Sequence, residues 1–175
     1  EVLTLRPDQL DEATAQVLRA RFGKLRKIRV ARSAILSDAE AATLCHFDDV
    51  SQVKLFDMRI TDAALRSVCR LPKLLSLTIG EQTKISAAGI SRLQQVDSLE
   101  QLTIHDVRQV PLGDLVSFPH VYQLQFFSCT FQETSFRMFA RLPQLRRLAI
   151  IDFQGLTDQH VANLAQIRQL DSVNL

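Results

Sequence analysis

Leu74-Leu75-Ser76-Leu77-Thr78-Ile79 is the stretch that decides the fold, because its order, apolar-x-x-apolar-x-apolar, returns along the whole chain. It recurs at Leu25/Ile28/Val30, Val50/Val53/Leu55, Leu99/Leu102/Ile104, Val121/Leu124/Phe126, Leu145/Leu148/Ile150 and Leu170/Val173/Leu175. Successive starts lie 25, 24, 25, 22, 24 and 25 residues apart, a period that marks a stacked repeat. Leu3 and Leu5 fit the last two positions of a partial eighth copy. Those last two positions alternate with polar residues, the two-residue period of a strand with one buried face.

Each strand is followed by a helix signal. Leu36-Ser37-Asp38, Ile60-Thr61-Asp62, Ile85-Ser86-Ala87 and Leu156-Thr157-Asp158 place a hydroxyl after an apolar anchor, often with a carboxylate at the positive end of the helix. Ser37 with Glu40 spells a capping box. Leu65/Val68/Leu71, Ile90/Leu93/Val96, Phe136/Phe139/Leu142 and Val161/Leu164/Ile167 then recur every three residues, which predicts a buried stripe on a short helix. Pro72, Pro119 and Pro143 share one slot after the helix, where proline ends it. A unit this small cannot bury its own apolar face, so the copies must stack. The expectation is one α/β domain over residues 1–175, a right-handed solenoid with a parallel sheet on the concave side and helices on the convex side. The copy from Leu99 to His120 is the shortest, with Val110-Pro111-Leu112-Gly113 replacing the usual cap, and predicts an irregular convex turn.

These units resemble the leucine-rich repeat family, whose strand signature L-x-x-L-x-L is matched over essentially the whole chain. That family usually fixes the following turn with Asn or Cys. The equivalent positions here are Ser33, Met58, Gln82, Val107, Cys129 and Phe153, so only Cys129 conforms and the turn ladder is expected to be atypical. The I-T-D-x-x-L element is similar both to the cysteine-containing class found in F-box substrate receptors and to short repeats of bacterial proteins. Leu71 and Leu142 stand where the former carries Cys, and no F-box-like segment precedes the repeats, so the bacterial type is the expected one. The resemblance implies a binding module that recognises another protein.

Composition narrows the remaining classes. At 175 residues the chain is long enough for a core without disulfides or metals, and 46% apolar content excludes disorder. A formal charge of +2 argues against a dedicated nucleic-acid binder. No stretch approaches the roughly 18 apolar residues of a membrane helix, which leads to the expectation of a soluble chain. Because it opens at Glu1 without Met and is strand-like from Val2, any targeting segment would lie upstream of the numbered sequence. Three cysteines cannot all pair, and free thiols lean toward a reducing compartment without assigning one. Cys45 and Cys69 share one helical slot in adjacent repeats, where stacked helices stand roughly 9 Å apart, too far for a disulfide.

Catalytic and metal chemistry find no pattern. His46, His105, His120 and His160 fall in different repeat slots, and there is no G-x-S-x-G, G-x-x-x-x-G-K or H-E-x-x-H. No catalytic residue, metal or cofactor is therefore expected, and almost every position is explained by its repeat slot.

The informative positions are the outward ones between the apolar strand residues. Arg6, Lys27, Arg29, Lys54, Phe56, Thr78, Thr103, His105, Gln125, Phe127 and Arg147 are the expected partner-binding residues. The row holds no carboxylate, which predicts a positive surface with an uncharged polar centre suited to an acidic or polar protein. Acidic residues follow one step on, at Asp57, Glu81, Asp106 and Asp152, with Arg59, Lys84 and Arg108 near enough in sequence to pair locally. Phe56 and Phe127 are either anchors for the partner or covers for the loops that follow. A second reading is self-association, since strand pattern runs to both ends with no polar cap sequence. A third, an anionic polysaccharide or nucleic acid, predicts binding that falls steeply with salt and fits the near-neutral charge poorly.

Overall fold

A computed structural model describes residues 2–22, 24–30, 36–55, 59–80, 85–106, 118–131 and 136–175. Its strands are β1 (Val2–Leu5), β2 (Lys27–Val30), β3 (Gln52–Leu55), β4 (Ser76–Ile79), β5 (Gln101–His105), β6 (Gln123–Phe127), β7 (Arg147–Ile151) and β8 (Ser172–Asn174). They form one parallel sheet in sequence order, β1 through β8. Equivalent repeat positions lie side by side, for example Arg29 beside Lys54, Lys54 beside Thr78 and Thr78 beside Thr103. The 22- to 25-residue spacing thus becomes a register, and β1 pairs with β2 in the same way. Strands begin two residues after the first apolar position of each motif, which sits buried in the preceding turn, as Leu74 and Leu99 do.

Helices return the chain between strands. They are α1 (Glu12–Arg21), α2 (Asp38–Thr43), α3 (Asp62–Val68), α4 (Ala87–Leu93), α5 (Phe136–Phe139) and α6 (Asp158–Ala165). From α2 onward they are four to eight residues long, too short to persist alone, so packing on the sheet holds them. Ser37, Thr61, Ser86 and Thr157 cap four of them as the sequence predicts, each side chain accepting an amide proton from the first turn. Ser37 and Glu40 complete the capping box at 3.2 and 2.7 Å.

The first-turn carboxylates do more than oppose the helix dipole. Asp38 accepts the Thr61 hydroxyl at 2.6 Å, and Asp62 accepts the Ser86 amide at 2.9 Å as well as its hydroxyl. Each cap is thereby tied to the preceding helix. A Cβ on Gly89 would fall 2.1 Å from an Asp62 carboxylate oxygen, so glycine leaves the room this clamp occupies.

Between sheet and helices lies a continuous apolar core. Ile28, Val53, Leu77, Leu102, Leu124 and Leu148 point inward from successive strands at no more than 2% exposure, each burial stabilising the fold by about 1.5–3 kcal/mol over leaving the side chain in water. Toward the C-terminal repeats the core turns aromatic. Phe126, Phe131, Phe136, Phe139 and Phe153 meet in edge and tilted contacts, and His160 stacks on Phe136 at 4.2 Å.

Two helical expectations need correction. Val161, expected in the buried stripe, is 45% exposed, because among the described residues no helix covers that side of α6; His160 and Asn163 take inward positions beside Leu164 instead. Val110-Pro111-Leu112-Gly113 and its expected irregular turn lie outside the described residues.

Candidate functional site

The open face of the sheet is built by the outward residues of the eight strands, and no residue of any strand is acidic. Lys27, Arg29 and Lys54 converge on β2 and β3. Arg29 and Lys54 are direct neighbours in register, with Lys27 two residues before Arg29 on the same side. Strands stand about 4.8 Å apart, so these charges repel across a short distance. Partial burial first, then Lys27 and Arg29, hold the Lys54 ammonium below the usual lysine range. A negative charge brought over β2 and β3 would oppose this repulsion at Lys54.

Arg147 does not join this cluster. It lies on β7, four strands from Lys54, roughly 19 Å at ordinary strand spacing. There it walls a shallow depression of about 240 Å³ with Gln123, Gln125, Ala149, Ser172 and Asn174. The small Ala149 side chain opens this hollow between Gln125 and Asn174. Arg6 also departs from expectation: it follows β1, caps a short 3-10 turn, and its guanidinium turns 3.7 Å from Asp8, which offsets part of its charge.

The centre of the face is flat and uncharged. Thr78 is only 6% exposed between its strand neighbours, and the Thr103 hydroxyl donates to Gln125 Oε1 at 3.2 Å. At the C-terminal ends of β5 and β6, His105 and Phe127 stack with centroids 4.4 Å apart and planes 6° from parallel. Phe127 stays half-exposed, so the pair offers a ledge beside the threonines. Phe56 falls outside the described residues, as do Asp57, Glu81, Lys84 and Arg108.

The following turns explain the remaining acidic positions. Asp106, Ser128 and Asp152 adopt left-handed backbone with φ of 48°, 50° and 58°, and the Asp106 and Ser128 amides donate to Phe127 and Ile151 carbonyls of the next strand. Aspartate tolerates this conformation better than most residues, so these positions serve the turn. Cys129 is buried and its thiol donates to the Ile104 and Phe127 carbonyls, the structural role expected of the conforming ladder residue. Cys45 and Cys69 are free thiols; Cys45 donates to the Ser67 carbonyl at 3.0 Å, and burial, opposed by Arg92, pushes Cys69 up to about 11. Among the described residues no three His, Cys, Asp or Glu side chains converge to hold a metal ion, and no helix is long and apolar enough to cross a membrane.

One surface was missed by sequence reasoning. The residues just before the strands form a second row, Arg26, Ser51, Leu75, Glu100, Tyr122, Arg146 and Asp171, and two adjoining concavities open along it. An apolar residue at Leu75, in a slot otherwise polar or aromatic, was the available signal.

The fold is a leucine-rich-repeat solenoid. Among solved structures the chain is similar to an internalin (inlF) from Listeria monocytogenes, with 18% identity and a TM-score of 0.47, covering 90% of this chain and 56% of that one. It is also similar to internalin C2 (inlC2) from the same organism, with 16% identity and a TM-score of 0.44, covering 81% of this chain and 66% of that one. The chain therefore spans under two thirds of either, and nothing about its partners follows from them. No family model matches the sequence, and no curated protein matches it.

Proposed function

We propose that the protein is a non-enzymatic binding module whose open sheet face takes an acidic or polar segment of another protein. The observation that carries this reading is the cluster Lys27, Arg29 and Lys54 on a face whose strands contain no acidic residue. A single ligand can place carboxylates over β2 and β3, cross the uncharged threonine centre, and rest an apolar side chain on the His105–Phe127 ledge. Arg147 and the hollow beside it would engage a longer partner separately. The repeats fit the bacterial type better than the F-box class, since Leu71 and Leu142 occupy the slot where that class carries Cys.

Selection of a phage-displayed random peptide library on the wild type and on Arg29→Glu/Lys54→Glu tests the proposal. Wild type should enrich Asp- and Glu-rich sequences, with enrichment reduced on the order of tenfold or more by the double variant. Acidic sequences absent from the wild-type pool, or equally enriched by both proteins, would refute it.

A further inference from the structure

We propose that the row preceding the strands is a second binding surface, independent of the sheet face and opposite to it in charge preference. Its ligand is an extended protein segment in which an apolar side chain and a lysine or arginine are separated by one residue.

The row is rigid. The carbonyls of Arg26, Ser51, Leu75, Glu100, Tyr122 and Arg146 each accept two amide protons from the next repeat, at 2.7–3.2 Å. With these backbone groups paired, the edge cannot add a strand, and recognition falls to side chains. Two concavities of about 400 and 550 Å³ run along it and share Leu75 and Ser98.

Leu75 is the exposed apolar residue that the fold does not explain. Among the described residues, the other exposed large hydrophobics (Val2, Val17, Leu156, Val161, Val173 and Leu175) lie in the first or last repeats. Leu75 sits mid-solenoid at 39% exposure, where two hollows meet. Beyond Glu100 in the same hollow, Tyr122 is half-buried and its hydroxyl accepts a hydrogen bond from Gln101 Nε2, which fixes the ring as a second wall.

The charges select the partner. The first hollow is cationic, since Lys73 pairs with Asp49 and Arg26 adds a second positive charge, and in the second Arg146 lies 3.7 Å from Asp171. Asp97 and Glu100 line the second hollow with no ion-pair partner among the described residues. Leu75 and Glu100 precede neighbouring strands, about 4.8 Å apart, and alternate residues of an extended segment project to one side about 6.6 Å apart. One such segment can therefore seat an apolar side chain on Leu75 and aim a cation at Asp97 and Glu100.

The same displayed library, selected on wild type, Leu75→Glu, Glu100→Lys and Arg29→Glu/Lys54→Glu, decides the matter. Each row position is solvent-accessible, and circular dichroism confirms that each variant is folded. Wild type should enrich a class with an apolar residue and Lys or Arg one residue apart. Leu75→Glu and Glu100→Lys should each reduce it on the order of tenfold, while the sheet-face double variant leaves it intact. Absence of that class, its survival in both row variants, or its loss in the sheet-face variant alone would overturn the proposal. Self-association of the wild type that Leu75→Glu abolishes would also overturn it, by assigning the row to a second copy. The acidic class reports the sheet face separately, so either reading can fail without the other.

Discussion

The third and last helical repeats carry one pattern in two surroundings. Around α3, Ile60, Leu65 and Val68 are fully buried, whereas the matching Leu156 and Val161 are 41% and 45% exposed and only Leu164, at 5%, stays covered. Val53 and Leu55 are fully buried on β3, yet Val173 on β8 and Leu175 beyond it are half in water. The difference is the neighbour: α3 packs between α2 and α4, while among the described residues α5 is the one helix packed closely on α6. A solenoid is close to one-dimensional, so the next unit covers a residue that its own unit cannot. Slot decides which side chains face inward, and adjacency decides which are buried.

The sharpest way to break this comparison is truncation at equivalent slots. Leu65→Ala should destabilise by about 2–5 kcal/mol through lost burial and the cavity left behind, while Val161→Ala should cost less than about 0.5 kcal/mol. Urea denaturation of both variants checks it, and equal losses would end the argument from adjacency. Next in size is the cap. Thr61→Ala should cost about 1 kcal/mol because it removes both the α3 cap and the bond to Asp38.

Smaller still is the thiol comparison. Cys69 and residue 165 share a slot, but Cys69 is largely buried and held near 11, whereas Ala165 is exposed. Ala165→Cys should be alkylated faster than Cys69 at about pH 8, where an exposed thiol carries more thiolate, and mass spectrometry reads the order. The same raised value has a sign for stability. An unfolded Cys69 releases its proton near 9 and the native one near 11, so its contribution is intact below 9 and is lost as pH rises through that window. A Cys69→Ala variant should lose less stability over that range than wild type.

Much of this architecture was legible because it is local. Each cap hydroxyl, apolar stripe and strand motif lies within one repeat, and aligning the motifs gives the pairing register directly, as Arg29 beside Lys54 shows. What escaped depends on other parts of the chain. Val161 matches its slot but is left uncovered; Arg6 has the spacing of a face residue but turns to Asp8; and Arg147 shares the slot of cations that stand four strands away. The Leu75 row carries no strand-alternation signal, because its residues stand just before each strand. The sequence places Asp38 and Asp62 at the positive ends of helices, and their second role as clamps between repeats arises only in the stacked geometry.

The most direct test of the central claim is the affinity of the most enriched acidic peptide for wild type and for Arg29→Glu/Lys54→Glu, by fluorescence anisotropy at low and at high salt. Binding should weaken as salt rises and fall on the order of tenfold or more in the double variant. Equal affinity for the two proteins would contradict it and move recognition away from β2 and β3.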